Sequence, residues 1–314
     1  LDNSFEKCID IMSRFFIDPL FDKNSVDREI NAIESEHKKN IQSDTWRFSY
    51  LTDLISKKDS MINKFSTGNL QSLKKPNVRK EMIKFYKKYY ISSNIKVSII
   101  SSMALSKTTE FINKYFSSIK KSSASQIANG IVKTIKPFYN QNSESFYFQT
   151  INDISILNYL WEIPTFDSYY KNNLATYFVT EILMTGDKKS LSYFLISKGL
   201  IKGLNARVEE EGKLNITFEL TKFKNWVEVD SYFRFYIEKL KTKSSNEFIK
   251  DICDYQYKKD KLLFNIGTKS DSLDLAMKLA NNLHYYEIKD CNYATVYPIK
   301  LEYNKVKELI LEFV

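Results

Sequence analysis

One run gathers the groups best able to do chemistry: Asp27-Arg28-Glu29-Ile30-Asn31-Ala32-Ile33-Glu34-Ser35-Glu36-His37-Lys38-Lys39-Asn40. Read as a helix, it places Glu29, Ile33, Glu36 and Asn40 at i, i+4, i+7 and i+11, on one stripe. Two carboxylates on a stripe that partly faces a core need cations or donors nearby, because an unpaired buried carboxylate is costly. The chemistry such groups offer is metal coordination. His37 follows Glu36 directly and points roughly 100° away round the helix, so the two cannot easily share one metal. By spacing alone the carboxylates read as an acidic flank beside Lys38 and Lys39, and His37 as a surface or capping histidine.

The elements that must position these groups follow from hydrophobic periodicity. Phe5, Cys8, Ile9, Met12, Phe15 and Phe16 recur at helical spacing behind Asp2-Asn3-Ser4 and predict an amphipathic helix ending near Asp18-Pro19. The acidic helix starts around Asn24 or Ser25 and is expected to run, with a bend, to about Lys57. A loop through Thr67-Gly68-Asn69 leads to a basic helix over Val78 to Tyr90. A strand over Ile95 to Ser101, with Val97 and Ile99 on one face, and a helix over Ser106 to Ile119 come next. Residues 120–136 read as an interdomain linker. Beyond it, Phe146 to Gln149 and Ile154 to Trp161 predict strands, and Asp167 to Leu183 and Lys189 to Lys198 helices. Leu204 to Glu209 and Lys213 to Thr221 form a hairpin across Glu210-Glu211-Gly212. Long helices follow over Trp226 to Leu240, Ser245 to Leu263, Ser272 to Tyr286 and Asn304 to Phe313. Segregated strand and helix groups predict an α+β fold with helices packed on one face of mostly antiparallel sheets.

Composition narrows the function. A chain of 314 residues holds two domains at about 150 residues each. With 43% hydrophobic and 27% charged residues it is not disordered, collagen-like or a coiled coil. Two histidines remove most His-based metal and triad sites. The net charge of +9 is uneven, since residues 1–125 carry 22 Lys plus Arg against 14 Asp plus Glu. A basic half attracts phosphates, acidic membranes or acidic peptides. Its densest stretch, Lys74 to Lys96, has no RNP pattern, zinc knuckle or Arg-rich segment, so it reads as a solvated helix face and no nucleic-acid partner is expected. Cys8, Cys253 and Cys291 are odd in number and never paired as C-x-x-C, which argues against a disulfide framework and favours a reducing, intracellular compartment. No run of about 18 apolar residues predicts a membrane span. The chain opens on Leu1 without a signal-peptide pattern, and is expected to be a piece of a longer protein.

The segment Asp27-Arg28-Glu29, Ser35-Glu36-His37-x-Lys39-Asn40 and Asp44-x-Trp46-Arg47 resembles the stretch downstream of H-x-x-E-H in the insulinase branch of the inverzincin zinc proteases. The resemblance continues in order through Phe15-Phe16, Leu20-Phe21, Lys64-Phe65-x-Thr67-Gly68-Asn69 and Tyr89-Tyr90-x-Ser92-Ser93-Asn94. It then runs through Ile163-Pro164, Tyr169-Tyr170-Lys171, Leu191-Ser192, Ser197-Lys198-Gly199 and Leu283-His284-Tyr285-Tyr286. It implies two related domains of the insulinase or mitochondrial-processing-peptidase type. Residues 1–125 would be the remainder of the first, zinc-site domain, and 126–314 a linker and a second, non-catalytic domain. Carried over, Glu36 falls at the third zinc ligand and Glu29 at the carboxylate that orients a zinc-ligating histidine. Trp46 and Thr67 fall where the family lines the pocket for the substrate residue just after the cut. An ordinary core tryptophan and a loop-capping threonine are the other readings of those two.

Departures limit what the resemblance carries. Neither His37 nor His284 lies in an H-x-x-E-H, so both zinc histidines and the glutamate base are expected upstream of this chain. By the resemblance, the tyrosine and arginine that steady the substrate carbonyl are expected in a later half, and the last strand of the second domain is expected beyond Val314. The resemblance also implies strand addition of the substrate's N-terminus. Thr185-Gly186-Asp187-Lys188-Lys189-Ser190 and Gly203-Leu204-Asn205-Ala206-Arg207 carry fewer glycines than that exosite, and an ordinary helix-to-strand connection is the other reading. The expected parent is a zinc metalloendopeptidase that degrades short or unfolded peptides in a closed chamber, with one zinc per intact protein. Its expected partners are peptide substrates and its own C-terminal half, and this fragment is expected to be inactive alone and to retain no zinc. The alternatives are a non-catalytic peptide-binding or partner subunit, and a structural role in an assembly.

Overall fold

The computed structural model describes residues 2–56, 58, 67–123, 145–162, 178–209, 213–267, 271–293, 298, 300 and 302–312. By internal contacts the chain divides into two compact units, each built from three stretches. Unit 1 is Leu1–Ser43, Phe65–Thr134 and Lys269–Thr295, and unit 2 is Asp44–Lys64, Ile135–Thr268 and Val296–Val314.

Among the described residues of unit 1, the regular elements are all helices. Helix α1 (Asp2–Ile17) ends where expected before Pro19. It packs on α6 (Leu105–Phe116), where Glu6 accepts from Lys114 Nζ and Tyr115 Oη, both at 2.8 Å. These donors hold the Glu6 carboxyl below its usual range. Helix α2 (Lys23–Asn40) is capped by Asp22, which accepts from the Ser25 N–H at 2.9 Å. Then come α4 (Leu70–Leu73), α5 (Val78–Tyr89) and α10 (Ser272–Asn282). Tyr86 donates to the Phe16 carbonyl at 2.8 Å, tying α5 to the end of α1.

The acidic helix does not continue to Lys57. It stops at Asn40, and α3 (Asp44–Leu54) starts afresh. The physical reason lies in the last turn: Gln42 and Ser43 donate to Lys39 and Asn40, three residues back rather than four. Asn and Ser compete with the backbone in helices. The strand expected over Ile95 to Ser101 forms no ladder among the described residues, although Ile95 has extended dihedrals (φ −106, ψ 128). The stretch 146–149 is likewise without a ladder. Of the linker expected over 120–136, residues 124–136 lie outside the described residues, as do 167–177 of the helix expected to end at Leu183.

Among its described residues, unit 2 is built on an antiparallel sheet of three strands, β1 (Ile156–Glu162), β2 (Ile201–Glu209) and β3 (Lys213–Leu220), in the order β1-β3-β2. The expected hairpin is therefore present, with Ala206 opposite Ile216 and a bulge between Ile201 and Gly203. Alternation decides the faces. Leu214, Ile216, Phe218 and Leu220 are buried on one side of β3, while Asn215 and Thr217 turn to the other, where both accept from Asn158 Nδ2 at 2.6 and 2.7 Å.

The apolar face takes its cover from helices on one side, which is the α+β layering expected. Residues 178–184 are helical and bury Phe178, Ile182 and Leu183. Helix α7 (Leu191–Ser197) buries Leu191 and Leu195. It ends at Gly199 (φ 68), where the Leu200 N–H reaches back to the Leu195 carbonyl at 3.0 Å, a closure that suits glycine's left-handed freedom. Helix α8 (Trp226–Lys241) buries Val229, Phe233, Ile237 and Leu240, spaced for one helical stripe. Helix α9 (Asn246–Ile266) adds Ile249 and Cys253, and α11 (Tyr303–Glu312) adds Val306 and Ile310. Burial pushes the Cys253 thiol up to about 11, so it serves as a small core residue. No described helix is long and apolar enough to cross a membrane.

Candidate functional site

Helix α2 presents its core side through Val26 and Ile30, which are buried. Glu29 and Glu36 both stand exposed, two turns apart, and His37 beside them is half-buried. The stripe is mixed, with Ile33 and Asn40 half-buried and the two carboxylates on its exposed flank, as the reading by spacing alone had it. An exposed carboxylate keeps its water and needs no paired cation. Among the described residues no three His, Cys, Asp or Glu side chains come together to hold a metal ion. Glu36 can offer one ligand to a metal, and the described residues do not complete a site around it. His284 is exposed, with its ring edge-on to Tyr285 at 6.4 Å.

Sequence reasoning passed over Glu34, which the structure bonds to the loop that follows Thr67. Half-buried, it accepts the Leu70 N–H at 2.8 Å and pairs with Lys38 at 3.3 Å. The Leu70 amide, and then Lys38, hold its carboxyl below the usual range. The bond ties α2 to the loop before α4, which Asn69 and Ser72 close by reciprocal side-chain caps. Gly68 sits against Leu73 so closely that a Cβ there would lie 2.6 Å from Cδ1 and 2.8 Å from Cγ. Thr67, at the head of this loop, is half-buried, and its Oγ1 is buried with no hydrogen-bond partner among the described residues. Glu36, Glu29, Glu34 and Thr67 all belong to unit 1. The Glu34–Lys38 pair was legible as i, i+4, but its bond to an amide thirty-six residues on was not.

Trp46 belongs to unit 2 and lies half-buried on the first turns of α3. Its neighbour Asp44 is buried, at 6% exposure. Asp44 accepts from the Ile151 N–H at 2.8 Å, the Asn152 N–H at 2.9 Å, Asn152 Nδ2 at 2.8 Å and Arg47 Nη1 at 3.1 Å. These donors, the Ile151 amide foremost, hold its carboxyl down at about 2, so it is ionised throughout the physiological range.

In the second domain proposed from sequence, Gly203 lies at the bulge of β2, an edge strand of the sheet, and Arg207 is exposed on it. The stretch 185–190 is a compact connection between helices, in which Asp187 accepts the Lys189 N–H at 2.7 Å and Ser190 caps α7.

Comparison with known proteins gives this geometry a setting. Residues 1–58 match the family described as Insulinase (Peptidase family M16), and residues 77–250 the one described as Peptidase M16 inactive domain. The chain is 32% identical over 230 residues to the insulin-degrading enzyme homolog of Dictyostelium discoideum, covering 70% of this chain and 23% of that protein. It is 28% identical over 304 residues to the insulin-degrading enzyme of Homo sapiens, covering 91% of this chain and 28% of that protein. The chain thus spans less than a third of these relatives' length. Among solved structures, pitrilysin superposes over 99% of this chain and 34% of its own at a TM-score of 0.76 and 18% identity. The first half of the periplasmic protease PqqL from Escherichia coli does so over 99% and 68% at 0.64 and 11%.

Proposed function

The chain belongs to the insulinase family, peptidase family M16, and from that membership we propose that it is part of a zinc-dependent metalloendopeptidase that degrades short or unfolded peptides inside a closed chamber. In this reading residues 1–125 are the remainder of the zinc-site domain, and 126–314 are a linker and a related, non-catalytic domain. Glu36 is the third protein ligand of the zinc and Glu29 the carboxylate that orients a zinc-ligating histidine. Trp46 and Thr67 line the pocket for the substrate residue after the cleaved bond.

One observation carries the reading: the ordered motif from Asp27 to Arg47 sits in a family member, with Glu29 and Glu36 accessible on one regular helix. The reaction class is metal-assisted peptide hydrolysis. A catalytic zinc takes three protein ligands and leaves a fourth position for water. Glu36 offers one of the three, so the 314-residue chain alone is expected to be inactive. Its partners are peptide substrates and the C-terminal half of the same protease. Within this chain, Glu34 holds the Thr67 loop on the helix that carries Glu36, so pocket wall and ligand share one support.

A second reading, a non-catalytic relative that binds peptides or a partner subunit, draws on the match of residues 77–250 to the family described as Peptidase M16 inactive domain. Zinc stoichiometry of the full-length protein and of its Glu36→Gln variant separates the two. One tightly held zinc that weakens on substitution supports the protease, and no zinc in either form supports the binding subunit. Glu29→Gln should weaken zinc affinity by about 10- to 100-fold, the usual effect of removing an orienting partner.

A further inference from the structure

We propose that Asp44 is a positioning residue for the substrate pocket: its carboxylate clamps the first turn of α3, which carries Trp46, to the loop over 149–152. The proposal rests on the reading of Trp46 as a pocket residue and gives that residue its support.

The geometry is that of a clamp with no spare freedom. Asp44 Oδ1 takes the Ile151 N–H and Arg47 Nη1, and Oδ2 takes the Asn152 N–H and Nδ2, so both oxygens are spent on donors. Arg47 doubles the hold, since Nη1 also donates to the Gln149 carbonyl at 3.2 Å and its guanidinium lies 4.9 Å from the centre of the Phe148 ring. Phe48 meets the same ring edge-on at 6.3 Å. Residues 44, 47 and 48 are i, i+3 and i+4, one face of the helix, and all of that face is engaged by 148–152. Trp46 lies roughly 200° round the helix from Asp44. Gripping one face therefore aims Trp46 from the other. A side chain that reads substrate needs such a fixed mounting, because a loose one averages over pocket shapes. Burial of Asp44 makes the clamp all-or-none, for a half-broken set leaves a charged oxygen or an amide unsatisfied.

The test uses the full-length protein and a peptide series differing only in the residue after the cut, Phe against Ala. It reads kcat/KM and, in metal-stripped protein, peptide affinity by fluorescence anisotropy. Asp44→Asn keeps the shape but puts an NH₂ against a backbone N–H, and should narrow the Phe-to-Ala spread by about tenfold, or about 1.4 kcal/mol of discrimination. Zinc content should stay as in the wild type. A role in stability alone would lower every peptide by the same factor and leave the spread intact, which overturns the clamp. If Trp46→Ala leaves the spread unchanged, the pocket reading fails and the proposal with it. If Trp46→Ala narrows the spread and Asp44→Asn does not, the clamp alone is overturned. Should Asp44→Asn fail to fold, Asn152→Ala removes a single side-chain donor, with a narrowing of about threefold expected and an unchanged spread counting against the clamp.

Discussion

Unit 2 and unit 1 differ in what their amphipathic helices meet. In unit 2 every described buried stripe lands on the sheet or on a helix that does, and Phe218, Ile182, Leu195 and Val229 are fully enclosed. In unit 1, α5 is strongly amphipathic yet buries no residue. Phe15 on α1 stays 66% exposed and Phe85 on α5 58%. Between them lies a groove of about 790 Å³, lined by Phe15, Phe16, Phe21, Phe85, Tyr86 and Tyr90. Its rings touch one another, as Tyr86 and Tyr90 do with centroids at 5.0 Å, but no described layer closes over them. The lesson is that a helix's apolar stripe becomes a core only when a second layer faces it. The same kind of amphipathic helix thus contributes to an interior in one unit and to an open groove in the other.

That contrast can be broken by experiment, starting with its strongest arm. Phe218→Ala should cost about 3–5 kcal/mol by urea denaturation, through lost burial and the cavity left behind. Equal costs for Phe218→Ala and Phe15→Ala would erase the distinction between the units. Gly68→Ala comes next in unit 1. Its Cβ must push Leu73 aside, and overpacking of this kind costs about 1–3 kcal/mol. The third effect is local to unit 2 and depends on acid. Because the folded Asp44 carboxyl is held at about 2, below its ordinary 3.8, the stability it adds is complete above pH 3.8 and is lost as pH falls through about 2. Protection of the Ile151 and Asn152 amides from exchange, relative to an unfolded peptide at the same pH, should therefore be high at pH 5 and fall below pH 3.8 before that of the sheet amides does; a simultaneous fall would show that the clamp melts only with the whole unit. Smallest of all, Phe85→Ser should change stability by less than about 0.5 kcal/mol, since exposed sites away from special features have little effect. It should also lower the binding of an apolar dye, and unchanged dye binding would mean the groove is not the exposed surface it looks to be.

Local signals made much of this legible in advance. The apolar period of Trp226 to Leu240 and the alternation of Lys213 to Thr221 each depend on neighbours a few residues away, and both elements formed with nearly the expected ends. Elements that needed a distant partner were less legible. Val97 and Ile99 alternate as strand residues do, but a ladder requires another strand beside them, which periodicity does not report. The break after Asn40 turned on which carbonyl Gln42 and Ser43 chose. In the candidate site, Glu29, Glu36, Trp46 and Thr67 were singled out by the family resemblance, and all four fall on described residues. The supports beneath them, Glu34 to Leu70 and Asp44 to Ile151 and Asn152, span long stretches of chain, and no spacing rule connects their ends.

The interleaving of the two units along the chain sets a timetable for synthesis. Unit 1 begins with α1 and α2, yet it is not complete until Lys269–Thr295 arrives with α10 and its buried Asn282, which donates to the Cys291 carbonyl at 2.7 Å. By then the sheet of unit 2 and helices α8 and α9 have already left the ribosome. Unit 2 waits in turn for Val306 and Ile310 to fill the last places in its core. Domains commonly fold as they emerge, first the N-terminal one and then the next. Here each unit draws on segments made after Gly267, so a chain halted there would leave two incomplete units for the cell's chaperones rather than one finished and one begun.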